Sequence, residues 1–291
     1  MNKIRLFANA KINLTLDIVG LRADGYHLLE SVMQTISLHD EICIEKTRRS
    51  GIMLACPGMR SLEYNKNTAY LSAVLFFEAL NFLPSVKITI KKNLPSRAGM
   101  GGGSADAAAT LVGLNKLYGE PFSIDELKAM AVKVGADVPF LIEGGIAFCE
   151  GIGEKLTPLK PLKPCYFVIF KGKLGNHTQE IFEKYDSELC EGSVDNKKAL
   201  EAIKCGRLRK LSQAMGNILE KPAELPDLEL YKKEGSRFGA LKTQMTGSGS
   251  AIFSMFKDKK KAERFKEYLE KSYPELSVYF AVPKDRCVEI K

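Results

Sequence analysis

Apolar and polar positions alternate with a period of two near the start of the chain, where Ile12, Leu14, Leu16 and Ile18 are separated by Asn13, Thr15 and Asp17. This pattern predicts a half-buried strand and sets Lys11 and Asn13 on its polar face, which in such a strand is ordinarily solvated. Arg22-Ala23-Asp24-Gly25 is a turn signal, and Tyr26-His27 follow it directly. Further strands are predicted near 28–38, 41–46 and 51–56. Asn67-Thr68 stands before the apolar run Tyr70, Leu71, Val74, Leu75, Phe76, Phe77 and Leu80, which predicts a helix over about 68–81 with a polar cap. Ser123 with Glu126 forms a capping-box pattern that opens a helix closing at Gly135. Asp137 follows in a tight apolar segment, where an acid beside a helix terminus ordinarily serves as a cap.

Val86, Ile88 and Ile90 form another alternating strand, and the stretch after it organises the chain. It runs Asn93-Leu94-Pro95-Ser96-Arg97-Ala98-Gly99-Met100-Gly101-Gly102-Gly103-Ser104-Ala105-Asp106 and enters an Ala-rich apolar helix at once. The order is strand, glycine loop, helix N-terminus. Four glycines within five positions let a ligand approach the backbone, and the first helical N–H groups are unpaired and partly positive. An anion, above all a phosphate, fits such a place. The loop matches neither a Walker A motif, since Gly-Lys-Ser/Thr occurs nowhere in the chain, nor the dinucleotide fingerprint, which needs glycine where Ser104 stands.

Pro158, Pro161 and Pro164 stiffen a connection that marks a domain boundary, giving domains of residues 1–157 and 158–291. Beyond it the pattern predicts a buried strand over 165–170, three or four helical segments between 178 and 235, and strands over 239–245 and 251–256 joined by Thr246-Gly247-Ser248-Gly249-Ser250. A Lys-rich amphipathic helix and a last strand, 278–282, complete an α+β half.

Composition narrows the picture. Hydrophobic residues make up 45% and charged residues 27% of the 291, as in a soluble globule. The net charge of +8 favours an anionic partner: nucleic acid, a membrane surface or a phosphorylated small molecule. The most basic run, Lys257 to Lys266, carries no interleaved aromatic residues for base stacking and is read as a solvated helix face. The seven cysteines (43, 56, 149, 165, 190, 205 and 287) include no C-x-x-C pair, which favours reduced thiols in a cytoplasmic protein over disulfides or zinc. No apolar run reaches transmembrane length, and no signal peptide is read at the start.

Taken together, the loop Pro95 to Ala108 and the turn Thr246 to Ala251 resemble the second and third motifs of the GHMP kinase superfamily. Ala10-Lys11-Ile12-Asn13-Leu14, Arg22 to His27, Gly135-Ala136-Asp137-Val138-Pro139 and Gly151-Ile152-Gly153-Glu154 are similar to the members that act on a cytidyl alcohol. The resemblance implies a two-domain fold, with an N-terminal α/β sandwich like a ribosomal-protein domain and a C-terminal α+β domain with an antiparallel sheet. It implies ATP-dependent phosphorylation, with Mg²⁺, of the 2-hydroxyl of 4-diphosphocytidyl-2-C-methyl-D-erythritol in non-mevalonate isoprenoid synthesis.

The resemblance also implies roles for single residues. Lys11 and Asp137 fall on catalytic positions, and Asn13, Tyr26 and His27 on positions that hold the cytidine end. Pro95, Ser96, Arg97, Ala98, Gly99, Met100, Gly101, Gly102, Gly103, Ser104 and Ala105 fall on the ATP phosphate loop. Asn67, Lys92 and Asp106 fall near the nucleotide, and Gly247 and Ser248 form a wall beside the substrate phosphate. A second aromatic, to cover the other cytosine face, is expected after the strand at Cys165, with Phe167 and Phe170 as the candidates. Arg97 departs from the pattern by adding bulk and charge where glycine is common, and Ala105 stands where a second serine is common, leaving Ser104 alone to help hold magnesium. The partner expected is the small-molecule substrate, with no nucleic acid or membrane, and the protein is expected as a monomer or weak homodimer. The alternatives are a GHMP kinase for mevalonate or a sugar and a non-catalytic nucleic-acid-binding protein, against which the retained Lys11, Asp137 and phosphate loop argue.

Overall fold

The structure, a computed structural model, describes residues 1–58, 63–173, 175–188 and 193–291. Cys190 lies outside the described residues, and the other six cysteines are unbridged. The chain opens with a long hairpin of β1 (Lys3–Leu21) and β2 (His27–Lys46), so the two segments expected over 28–38 and 41–46 are one strand. Then come β3 (Gly51–Ala55), α1 (Thr68–Leu80), β4 (Ser85–Lys91) and α2 (Gly102–Leu117). They are followed by α3 (Ile124–Val132), α4 (Val138–Glu143), β5 (Ile146–Gly151) and β6 (Lys155–Pro158). Asn67 caps α1 by accepting from the N–H groups of Ala69 and Tyr70, and the Ser123/Glu126 capping box opens α3. The second half contains β7 (Tyr166–Lys171), α5 (Thr178–Ser187), α6 (Asn196–Lys204), α7 (Leu208–Ala214) and β8 (Gly216–Asn217). It ends with α8 (Glu220–Ala223), α9 (Leu228–Arg237), β9 (Lys242–Met245), β10 (Ile252–Phe256), α10 (Lys259–Ser272), β11 (Ser277–Ala281) and β12 (Val288–Ile290).

Among the described residues these strands make two sheets. The first has the order β12-β1-β2-β4-β3, with β5 also on β2, β6 on β5 and β8 on β1; the second is antiparallel, β11-β7-β10-β9. The strand expected to be the last, near 278–282, is followed by one more, because β12 returns to pair with β1 at Leu6, Phe7 and Ala8. β6, β8 and β12 are too short to carry a period of their own, which is why the pattern did not show them.

Helices α1 to α4 cover one face of the first sheet in a core that includes Ile4, Leu6, Ile42, Ile44, Phe76 and Leu111. Gly113 lets α2 sit against it: a Cβ there would lie 2.8 Å from Ile44 and 2.9 Å from Leu6. The second core joins Ala10, Ile12 and Leu14 of β1 to the inward residues Phe167, Ile169, Phe253 and Met255 of the second sheet. On the outer face of that sheet, Val168, Phe170 and Phe256 pack on α9 and α10.

One irregularity decides where the polar residues of β1 go. Ile4, Leu6 and Ala8 belong to the helix-side core, yet Ala10, Ile12 and Leu14 belong to the core shared with the second sheet. Between them lies a register shift at Asn9/Lys11, and a one-residue slip exchanges the faces of a strand. Lys11 and Asn13 thereby turn toward α2, where they are only 4% and 1% exposed. The expectation of a solvated polar face is corrected accordingly: this face is covered.

Candidate active site

The loop between β4 and α2 runs from Lys92 to Gly101 and turns sharply, with φ of +51° at Arg97, +71° at Gly99 and +67° at Gly101. A second glycine turn, between β9 and β10, lies directly on it. A Cβ on Gly99 would stand 2.1 Å from the Thr246 carbonyl oxygen, so only glycine allows the two loops to meet. The backbone N–H of Ala251 donates to the Ala98 carbonyl at 3.2 Å, and that of Lys11 to the Met100 carbonyl at 3.1 Å. The loop is therefore pinned from both sides while the N-terminus of α2 stays open. Asn217 Nδ2 supports the second turn by donating to the Gly247 carbonyl at 2.8 Å.

Asp40, on β2 and fully buried, holds the root of the first loop. Its Oδ1 accepts from the N–H groups of Asn93, at 2.5 Å, and Leu94, at 2.8 Å, and Lys92 Nζ reaches both Asp40 and Asp106 Oδ2, the latter at 2.8 Å. The other oxygen of Asp106 is buried without a partner among the described residues. Burial pushes the Asp106 carboxyl up to about 7, against the pull of the Lys92 ammonium and with the repulsion of Asp40 adding to it.

Beside this loop Lys11 Nζ lies 3.2 Å from Asp137 Oδ2 and donates to Asn13 Oδ1 at 2.8 Å. Asn13 in turn donates to Ser31 Oγ at 2.8 Å, and its backbone N–H to Thr246 Oγ1 at 3.0 Å. Asp137 occupies the N-cap position of α4 but makes no side-chain cap hydrogen bond. The capping expectation is corrected, and the carboxylate instead faces Lys11. Lys11 is nearly buried while the Asp137 side chain is 28% exposed to the cleft, so the two attract more strongly than at an open surface, although water still reaches the carboxylate.

A single cleft of ≈ 1000 Å³ collects most of these groups. Lys11, Asn13, Tyr26, His27, Lys92, the run Pro95 to Ser104, Asp137, Gly247 and Ser248 line it; Asn67, Ala105 and Asp106 do not, the last two being buried. Thr68 Oγ1 donates to the Gly103 carbonyl at 2.6 Å, so Asn67 and α1 touch the loop region indirectly. The mouth of the cleft is the tip of the first hairpin. Tyr26 is 60% exposed there, with the Arg22 guanidinium 5.6 Å from its ring centre.

Both expected second aromatics are corrected: Phe167 and Phe170 are fully buried in the two cores. The aromatic that reaches the cleft is Phe182 of α5, whose ring stacks on His27 at 4.8 Å and 29°. Thr178 and Asp186 of the same helix line the cleft too, Thr178 Oγ1 lying 2.9 Å from Ser248 Oγ. Sequence reading missed α5 as a site element. Its one signal was the spacing Phe182, Tyr185, Asp186, which places three unlike side chains on a single helix face. Among the described residues, no group of three or more His, Cys, Asp or Glu side chains could hold a metal, and no helix is long and apolar enough to cross a membrane.

Two domain families match the chain: the N-terminal domain of GHMP kinases over residues 67–145 and the C-terminal domain of GHMP kinases over 197–275. The chain is 41% identical over 278 residues, 95% of its length and 96% of the relative's, to 4-diphosphocytidyl-2-C-methyl-D-erythritol kinase of Clostridium perfringens. It is 42% identical over 277 residues, covering 94% and 99% of the two chains, to the kinase of the same name in Clostridium tetani. The crystal structure of a 4-(cytidine 5'-diphospho)-2C-methyl-D-erythritol kinase superposes with a TM-score of 0.79 at 32% identity, covering 97% of this chain and 100% of that one. Homoserine kinase from Cytophaga hutchinsonii, at 17% identity and a TM-score of 0.81 over 100% and 98% of the two chains, shares the fold. The chain belongs to the GHMP kinases, and within them to the 4-diphosphocytidyl-2-C-methyl-D-erythritol kinase family. It is an ATP-dependent kinase with the two-domain GHMP fold expected of its motifs.

Proposed function

We propose that the chain transfers the terminal phosphoryl group of ATP to the 2-hydroxyl of 4-diphosphocytidyl-2-C-methyl-D-erythritol. The observation that carries this reading is the convergence, in one cleft, of a glycine loop at a helix N-terminus, the Lys11–Asp137 pair and the Tyr26/His27/Phe182 cluster. The loop from Pro95 to Ser104 cradles the phosphates with backbone N–H groups and the α2 N-terminus. Asp137 orients the attacking hydroxyl and accepts its proton. Lys11, anchored by Asn13, holds Asp137 in place and offers positive charge where the alkoxide develops.

Mg²⁺ fits this site as an ion that the nucleotide brings with it. A magnesium ion keeps several waters and needs only one or two protein ligands beside phosphate oxygens, and the described residues offer no larger acidic cluster. Ser104, in the first turn of α2, would hold it, and its chemistry is to neutralise charge on the phosphates. Asn67 and Asp106 support the nucleotide side from outside the cleft lining, and Gly247 and Ser248 bound the cleft beside the loop. Tyr26 and Phe182 supply flat faces for cytosine, and the His27 ring offers its edge for a hydrogen bond.

In this reading residues 1–157 carry the loop and the catalytic pair, while residues 158–291 add the second glycine turn and α5. The protein works in the cytoplasm as a monomer or weak homodimer, with a small molecule and neither nucleic acid nor membrane as its partner. The deciding experiment compares ADP release with 4-diphosphocytidyl-2-C-methyl-D-erythritol, mevalonate and galactose. Activity on the cytidyl alcohol alone is expected, and activity on only the other two would overturn the assignment.

A further inference from the structure

His27 is gripped by one turn of α5 from three directions. Phe182 stacks on its face, Tyr185 meets it edge-on with ring centres 6.0 Å apart, and Asp186 Oδ1 lies 2.7 Å from Nε2. The imidazole is mostly enclosed, its side chain 12% exposed, whereas the Asp186 carboxylate is 58% exposed. So exposed a carboxylate adds little as an ion pair, because water screens it. Its effect on the ring is directional: an ionised carboxylate only accepts, so the nitrogen facing it must carry a hydrogen.

We infer that Asp186 is a positioning residue for base selection, fixing His27 in the Nε2–H form so that Nδ1 keeps a lone pair for the exocyclic amino group of cytosine. The inference rests on the cytidyl reading above and deepens it. In a neutral imidazole one nitrogen donates and the other accepts, and a partner on one nitrogen sets the role of the other. Cytosine carries an N4 amino donor, whereas uracil has a carbonyl oxygen at that place. A lone pair on Nδ1 attracts the first and repels the second. A site that hydrogen-bonds a particular N–H rejects an analogue lacking it far better than an apolar pocket can. The opposite arrangement, an imidazolium with two N–H groups, would favour the uracil oxygen, so the two arrangements predict opposite selectivity.

The test uses the full-length protein labelled with ¹⁵N-histidine, the His27 signals being assigned by their loss in His27→Gln. At pH 8 the wild type is expected to show a protonated Nε2 and an unprotonated Nδ1, and Asp186→Ala to show a mixture of the two tautomers. Steady-state kinetics with the cytidyl alcohol and its uridyl counterpart complete it. Asp186→Ala is expected to lower the ratio of kcat/KM values by at least about tenfold through KM, with kcat on the cytidyl substrate within about threefold. A proton on Nδ1 in the wild type, or an unchanged ratio in the variant, overturns the inference. Should the wild type turn over no cytidyl alcohol at all, the functional reading fails instead, and the tautomer is still decided by the nitrogen shifts.

Discussion

The floor and the mouth of the cleft are built in opposite ways. On the floor Lys11 and Asn13 are almost fully buried, project from the middle of a paired strand, and make hydrogen bonds to one another and to Ser31 and Thr246. At the mouth Tyr26 is exposed at a hairpin tip, and the residues facing His27 come from a ten-residue helix of which Ile181 is the one buried residue. The floor resembles a core that happens to be polar, and the mouth a surface that happens to be aromatic. The difference teaches where precision is needed. Phosphoryl transfer depends on placement to a fraction of an ångström, and in the proposed reading its groups sit on paired backbone. In the same reading a flat base can be stacked from a more exposed support, because stacking tolerates small displacements.

That contrast can be broken by experiment. Replacement of Asp137 by Asn is expected to reduce kcat by at least about a hundredfold, the scale of a general-base contribution, with KM values within a fewfold and the protein still folded. Near-normal turnover would remove the floor from the chemistry. A smaller change is expected at the mouth: Phe182→Ala should raise KM for the cytidyl substrate roughly three- to tenfold through lost stacking and leave kcat within twofold. An equal loss in kcat would mean that mouth and floor do not act separately.

The smallest effect concerns the wall behind the loop. Asp106 holds its proton up to about 7 in the folded protein, well above an ordinary carboxyl. Between about pH 4 and pH 7 the folded state therefore binds more protons than the unfolded state, and this group's contribution to stability falls as pH rises through that window. Asp106→Asn, which cannot ionise, should remove that slope. Measured by denaturant unfolding, the wild type should lose stability relative to the variant, by up to about 1.4 kcal/mol per pH unit, between pH 5 and pH 7. Parallel profiles would show that Asp106 is ionised throughout.

Much of the fold was legible along the chain, and the reasons are local. The capping box at Ser123, the Asn67 cap and the alternation of β4 all depend on residues within one or two turns of each other, so the pattern alone specifies them. The glycine loop was legible for the same reason, since a strand, four close glycines and an apolar helix follow without interruption. β8 and β12 were not, because two or three residues carry no period, and both exist only through pairing with β1.

The site divides along the same line. By itself the sequence determined that a glycine loop runs from a strand into a helix N-terminus, and its motifs singled out Lys11, Asn13, Tyr26, His27 and Asp137. The tertiary structure decided that the register shift at Asn9/Lys11 turns Lys11 toward Asp137 rather than toward the second sheet. It also decided that the aromatic facing His27 is Phe182 and neither Phe167 nor Phe170. A bulge and a helix docking leave no local signature, for each is settled by contacts between residues more than twenty positions apart, where hydrophobic spacing carries no information.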